Sequence, residues 1–121
     1  MIERKRFLFV SGTRADFGKL KPILDVSSRS FEVNIFVTGM HMLAKYGSTW
    51  NEVRNNGVGE IFPFVNQKVG DSLPNILAKT IQGLSDFVSE FKPVLIIVHG
   101  DRVEALAGAL VGSLTNTPVA H

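Results

Sequence analysis

Between Pro93 and Gly100 the sequence reads Val94-Leu95-Ile96-Ile97-Val98-His99, with no polar residue before the histidine. A strand with one wet face alternates apolar and polar residues; an unbroken run fits a strand covered on both faces, as in a parallel sheet. With five apolar residues, the run is far too short to span a bilayer, which takes about 20. Parallel neighbours cannot be joined by tight turns, so such a strand demands long crossover connections, usually helices. The rest of the chain supplies them.

Arg6 to Ser11 (RFLFVS) reads as a first strand, and Ala15 to Arg29 as a helix with Phe17, Leu20, Ile23 and Leu24 on one side. Pro22 lies inside that helix opposite the carbonyl of Gly18, which predicts a loosened first turn. Phe31 to Thr38 (FEVNIFVT) is a second strand, rich in β-branched and aromatic residues. Gly47 to Asn56 reads as a short helix, with Thr49 and Glu52 at capping-box spacing. Gly59 to Val65 is a third strand. Ser72 caps a long helix whose stripe runs Leu73, Ile76, Leu77, Ile81, Leu84, Phe87, Val88 and Phe91. Pro93 ends it, and the apolar run is the fourth strand. Val103, Leu106, Ala107, Leu110, Val111 and Leu114 mark another helix, and Pro118 to His121 opens a fifth strand.

Strand and helix in alternation give an α/β fold, a Rossmann-like doubly wound parallel sheet. Right-handed crossovers place the sites at the carboxyl ends of the strands. His121 closes what reads as a central strand with no following helix to cover it, so the chain is expected to be the first part of a longer protein.

Composition narrows the function classes. The absence of cysteine excludes disulfides and thiolate metal sites and fits a reducing cytoplasm. The charged start, Met1 to Arg6, leads into too short an apolar stretch for a signal peptide. Seven of the thirteen Lys and Arg fall in the first 29 residues, yet the net charge is only +2. Nucleic acid calls for a denser basic face. A solvated surface or one small anion accounts for this excess.

Three loops then hold the candidate residues. The first, Ser11-Gly12-Thr13-Arg14-Ala15-Asp16, leaves a strand and enters a helix. Its backbone amides and the fork of Arg14 can receive an anion, or Thr13 caps the helix and Arg14 is solvated. The second, Thr38 to Leu43, carries His41 beside Gly39: a ligand contact or a surface histidine. The third, His99-Gly100-Asp101-Arg102-Val103-Glu104, places Asp101 at a helix start. There it is either an N-cap with Glu104 as the capping-box partner, or a group at the site. Gly108 and Gly112 predict close packing. His99, Asp101 and His121 could gather at adjacent strand ends, but a metallohydrolase needs more carboxylates or histidines, so no metal is assigned.

Together these motifs resemble the UDP-N-acetylglucosamine 2-epimerase family, specifically its hydrolysing branch in sialic and related nonulosonic acid biosynthesis. The resemblance runs through SGTRADFGKLKPIL (Ser11 to Leu24), VTGMHMLAKYGSTWNEV (Val37 to Val53), KPVLIIVHGDRVEALAGAL (Lys92 to Leu110) and NTPVAH (Asn116 to His121). Non-hydrolysing relatives usually show Gly-Thr-Arg-Pro-Glu and Gly-Asp-Thr; Gly-Thr-Arg-Ala-Asp and Gly-Asp-Arg look like the hydrolysing branch.

The resemblance implies the N-terminal part of a two-domain GT-B-type protein. Residues 1–121 form an incomplete Rossmann-like domain, with the C-terminal nucleotide-binding domain outside the chain. It implies a UDP-sugar as substrate, Asp101 as an acidic catalytic residue, Arg14 on the diphosphate with Gly12 and Thr13 in the same loop, and His41 as a further substrate-side residue. The implied chemistry removes the C2 proton as UDP departs and adds water to the resulting glycal, with no metal or redox cofactor. No nucleic-acid or membrane partner is implied, the full-length protein is expected to be a homo-oligomer, and the 121 residues alone are expected to be inactive. The rival readings are a non-hydrolysing epimerase, a nucleotide-sugar-binding module without catalysis, and a glycosyltransferase-like domain.

Overall fold

A computed structural model describes residues 4–44, 47 and 49–121. Residues 1–3, at the head of the charged start, and Lys45, Tyr46 and Ser48, within the second motif, lie outside the described residues. The elements alternate as read: β1 (Arg6–Ser11), α1 (Arg14–Ser27), β2 (Glu32–Val37), a 3-10 turn (Gly39–Met42), α2 (Trp50–Arg54), β3 (Glu60–Pro63), α3 (Leu73–Phe91), β4 (Leu95–Ile97), α4 (Val103–Leu114) and β5 (Val119–Ala120). The five strands form one sheet in the order β3-β2-β1-β4-β5. Every pairing is parallel, with Phe9 opposite Ile35 on one side and Ile97 on the other. This is the expected doubly wound α/β sheet, and it sets the carboxyl ends of β1, β2 and β4 along one edge. β5 lies at the border of the sheet rather than within it.

The period-two geometry of a strand divides β1 between two cores. Leu8 and Val10 point to the face covered by α3 and α4, among Leu84, Val88, Ile96 and Val111. Phe9 points to the opposite face, among Leu20, Leu24, Ile35 and Val53. Phe9, Leu24 and Leu84 are each at most 1% exposed, and fully burying a side chain of this kind stabilises the fold by about 1.5–3 kcal/mol.

α1 begins on a complete capping box. Thr13 accepts from the Asp16 amide, and the Asp16 carboxylate accepts from the Thr13 amide. The helix continues through Pro22, with open space around Gly18. Ser72 caps α3 by accepting from the Asn75 amide, and Lys92 ends that helix in the left-handed conformation just before Pro93.

The other two expected caps are absent. Thr49 is itself helical (φ −64°, ψ −5°) and makes no cap bond; its hydroxyl is used elsewhere. The N-cap of α4 is Arg102, again without a side-chain cap, so Asp101 does not cap the helix.

α4 does not turn its leucines inward. Glu104, Ala107, Gly108, Val111 and Gly112 are buried, while Leu106, Leu110 and Leu114 are exposed. The two glycines are the reason. A Cβ on Gly108 would lie 2.6 Å from Val98 Cγ1, and one on Gly112 would lie 2.9 Å from the Thr117 carbonyl. The close packing expected of them is what draws this face onto the sheet. Ile23 of α1 is likewise half exposed rather than buried.

Candidate functional site

Three loops meet at the carboxyl edge of the sheet. The Gly12 carbonyl accepts from the His41 amide at 3.3 Å, and the Ser11 carbonyl accepts from the Thr38 amide at 2.9 Å, which ties the β1 loop to the β2 loop. Gly39 turns with φ of +63°, and a Cβ there would lie 2.7 Å from the Gly12 carbonyl oxygen. Only glycine satisfies both demands. From the first turn of α4, just after the third loop, Glu104 reaches the other two: a Cβ on Gly12 would lie 2.7 Å from Glu104 Cγ, and one on Gly39 would lie 3.0 Å from Glu104 Cδ.

The first loop satisfies its own amides. Asp16 Oδ2 accepts from Gly12 N at 3.0 Å and from Thr13 N at 2.9 Å. The sequence offered these amides to an incoming anion, but in the structure a carboxylate of the chain already holds them. Arg14, in the first turn of α1, stays exposed and pairs through Nε with Glu52 of α2 at 3.1 Å. A pair so open to water contributes little stability.

His41 is fully buried, not a surface histidine. Its Nε2 lies 2.8 Å from Ser11 Oγ and its Nδ1 lies 2.8 Å from Thr49 Oγ1. Ser11 Oγ is also 2.5 Å from Asp16 Oδ1. The proton inventory fixes the direction of this chain. Ser11 has one proton and gives it to the Asp16 carboxylate, so its oxygen accepts from His41 Nε2–H. In the neutral imidazole, the form that burial favours, the bare Nδ1 accepts from the Thr49 hydroxyl. Burial holds the His41 pKa below the usual 6.5, outweighing the opposing pull of the Asp16 and Glu52 carboxylates. The network locks β1, the β2 loop and the start of α2 together. A further buried amide, Asn66, extends the lock by accepting from Gly39 N at 3.1 Å and donating to Thr80 Oγ1 at 2.8 Å.

The third loop turns at Gly100 with φ of +98°. Asp101 follows it, exposed, and makes no hydrogen bond or ion pair among the described residues. It borders a shallow concavity of about 350 Å³ with Arg102, Ala105, Val119 and His121. The His121 Nε2–H donates to the Gly100 carbonyl at 2.7 Å, which joins the end of β5 to this loop. Arg102 is paired through Nε with Glu104 at 3.1 Å. Among the described residues no three His, Cys, Asp or Glu side chains gather closely enough to hold a metal ion.

The site candidates therefore separate into two layers. Asp101 and Arg14 are exposed on the rim; Gly12, Thr13 and His41 form and brace the wall behind them. Sequence reasoning gave no site role to Ser11, Thr49, Asn66, Arg102 or Glu104, and read Thr49 and Glu104 only as members of capping boxes. For Arg102 and Glu104 the signal was their place in Gly-Asp-Arg-x-Glu at the end of the apolar strand, and for Ser11 and Thr49 their place in the first and second motifs. Asn66 carried none.

A family model described as UDP-N-acetylglucosamine 2-epimerase matches residues 25–121. A UDP-N-acetylglucosamine 2-epimerase of Neisseria meningitidis serogroup B is 44% identical over 119 residues, which cover 97% of this chain and 32% of the relative. The UDP-N,N'-diacetylbacillosamine 2-epimerase (hydrolyzing) of Legionella pneumophila is 30% identical over 122 residues, again 97% of this chain and 32% of the relative. The crystal structure of a UDP-GlcNAc 2-epimerase from Neisseria meningitidis, bound to UDP-GlcNAc, superposes with a TM-score of 0.80 at 23% identity, covering 94% of this chain and 31% of that one. That likeness shows the fold. The chain spans about a third of the length of the curated relatives it matches.

Proposed function

This chain belongs to the UDP-N-acetylglucosamine 2-epimerase family, and from that premise we propose that it carries the acid–base half of a hydrolysing enzyme. The complete enzyme converts UDP-GlcNAc, or a close diacetamido relative, to the free 2-epimeric sugar and UDP. A second, nucleotide-binding domain faces this one in a GT-B arrangement. The observation that carries the reading is the placement of Asp101. It is an exposed carboxylate just beyond the carboxyl end of β4, on the sheet edge where the β1 loop presents Arg14.

The reaction asks for both groups. The C2 proton is not acidic, so a base removes it while the C2–H electron pair forms the C1=C2 bond and the C1–O bond breaks toward UDP. Asp101 takes part in that proton transfer. Arg14, with Arg102 on the neighbouring loop, stabilises charge as it accumulates on the departing diphosphate. Gly12, Thr13 and His41 serve the UDP-sugar side by fixing the loop that carries Arg14. Water then adds across the glycal, its oxygen to C1 and a proton to C2, which yields the epimer. Proton, electron pair and water account for every bond, so the scheme requires no metal and no redox cofactor.

The hydrolysing outcome is supported by Gly-Thr-Arg-Ala-Asp and Gly-Asp-Arg in this sequence and by the printed activity of the Legionella relative. The 44%-identical relative carries the general name UDP-N-acetylglucosamine 2-epimerase, which is common to both outcomes; the alternative is the non-hydrolysing reaction. We place the enzyme in the cytoplasm, in keeping with its cysteine-free sequence, as a homo-oligomer when full-length. No helix among the described residues is long and apolar enough to cross a membrane.

Proton NMR of the full-length protein incubated with UDP-GlcNAc separates the alternatives. Free N-acetylmannosamine and UDP in equal amounts support hydrolysis. UDP-bound N-acetylmannosamine supports the non-hydrolysing reading, and binding without turnover reduces the protein to a sugar-nucleotide-binding module.

A further inference from the structure

Glu104 is the most unusual carboxylate among the described residues. Carboxylates are rarely fully buried without a complete set of partners, yet its side chain is 3% exposed. Oε1 takes one bond, from Arg102 Nε at 3.1 Å, and Oε2 has no hydrogen-bond partner. A carboxylate held only for stability would have both oxygens satisfied, because leaving a buried acceptor unpaired is costly. The surroundings are also shaped to it. Gly12 and Gly39, from two different loops, both lack the Cβ that would collide with the Glu104 side chain. Three loops at the carboxyl edge of the sheet therefore converge on one carboxylate, and its single partner is an arginine that emerges, partly exposed, beside Asp101.

We propose that Glu104 is a positioning residue for Arg102: held between Gly12 and Gly39, its carboxylate grips the guanidinium by Nε and aims the terminal fork toward the departing diphosphate. The inference rests on the reading of the site given under Proposed function. An arginine free in solution samples many rotamers, and ordering it on binding is a cost that a pre-set grip removes. The grip through Nε is suited to this, since it leaves the two terminal nitrogens, whose spacing matches phosphate oxygens. It also links the loops: movement of Gly12 or Gly39 displaces Glu104 and with it Arg102, so the β1 and β2 loops act on the anion without touching it. Glu104 itself does not contact substrate.

A double-mutant cycle on UDP binding tests this in the full-length protein, with wild type, Glu104→Gln, Arg102→Ala and the double variant compared by calorimetry. Glu104→Gln keeps the shape and removes the charge, and the expected loss of UDP affinity is roughly tenfold, the scale of coupling between contacting residues. In the Arg102→Ala background the same substitution is expected to change UDP affinity less than about twofold, because its only route has been removed. Full, multiplicative loss in the double variant would overturn the proposal, as would a Glu104→Gln protein that binds UDP like wild type. Thermal melting guards the comparison. Glu104→Gln is expected to melt cooperatively, and loss of that transition would make Glu104 a folding residue instead. Wild-type turnover is assayed in parallel. An absence of epimerisation alongside an intact cycle defeats the functional reading but not the Glu104–Arg102 coupling.

Discussion

Replacing Gly12 by alanine adds one methyl group at the point where the β1 loop, the β2 loop and Glu104 meet. The backbone tolerates it, because Gly12 is not among the residues with positive φ. The methyl would sit 2.7 Å from Glu104 Cγ and 2.8 Å from Cδ, where ordinary carbon contacts begin at about 3.4 Å. Glu104 is buried and the Gly39 backbone lies close against it, so the side chain must yield several tenths of an ångström within a packed site. Overpacking of this kind costs about 1–3 kcal/mol. Any such shift also pulls Oε1 away from Arg102 Nε. Gly12→Ala in the full-length protein is therefore expected to lower the melting temperature by a few degrees and weaken UDP binding roughly tenfold, the loss expected of Glu104→Gln. Gly18→Ala is the control. It lies in the same segment but has nothing within 4 Å of the added carbon, so it is expected to stabilise by about 0.4–1 kcal/mol and leave UDP affinity unchanged. A Gly12→Ala protein as stable as wild type with normal UDP affinity would refute the packing argument.

Other expectations follow from the same geometry. Because burial lowers the His41 pKa below 6.5, the unfolded chain binds a proton there more readily than the folded one. Its contribution to stability is thus complete above pH 6.5 and declines as pH falls toward the lowered folded value. His41→Gln should flatten the melting-temperature profile in that window, and an unaltered profile would count against the neutral network. Arg14→Ala should weaken UDP binding by about 1.5–3 kcal/mol, roughly 10- to 150-fold, whereas unchanged affinity by calorimetry would make Arg14 a solvated surface residue. The 121 residues expressed alone should show no turnover of UDP-GlcNAc, and activity above a blank would contradict the need for a facing domain.

Much of this molecule was legible in its sequence, and the failures share a cause. The strand–helix alternation, the Ser72 cap and the Thr13 turn are local, and local pattern decides them. The leucines that mark α4 in the sequence do not form its inner face. Here Gly108 and Gly112 permit a closer approach to Val98 and the Thr117 carbonyl than a leucine face would allow, and they turn Leu106 and Leu110 outward. Thr49 with Glu52, and Asp101 with Glu104, have capping-box spacing, yet neither pair caps. The Thr49 hydroxyl is committed to His41 and the Glu104 carboxylate to Arg102, tertiary demands that spacing along the chain cannot reveal. His41 reads as a surface residue for the same reason: its partners Ser11 and Thr49 lie 30 and 8 positions away.

Asp101→Asn in the full-length enzyme tests the central claim most directly, because the substitution leaves every contact of the fold intact. Asp101 caps no helix and is exposed, so melting temperature and UDP affinity should match wild type. Asparagine keeps the shape but cannot exchange a proton. Turnover should fall by about 10²–10⁴-fold, the usual contribution of a positioned acid or base. Deuterium incorporation at C2 of the product sugar in heavy water should be lost in parallel, since that proton is removed in the step that forms the glycal and is replaced from solvent when water adds. Near-normal turnover with C2 exchange retained would contradict the account and remove Asp101 from the reaction.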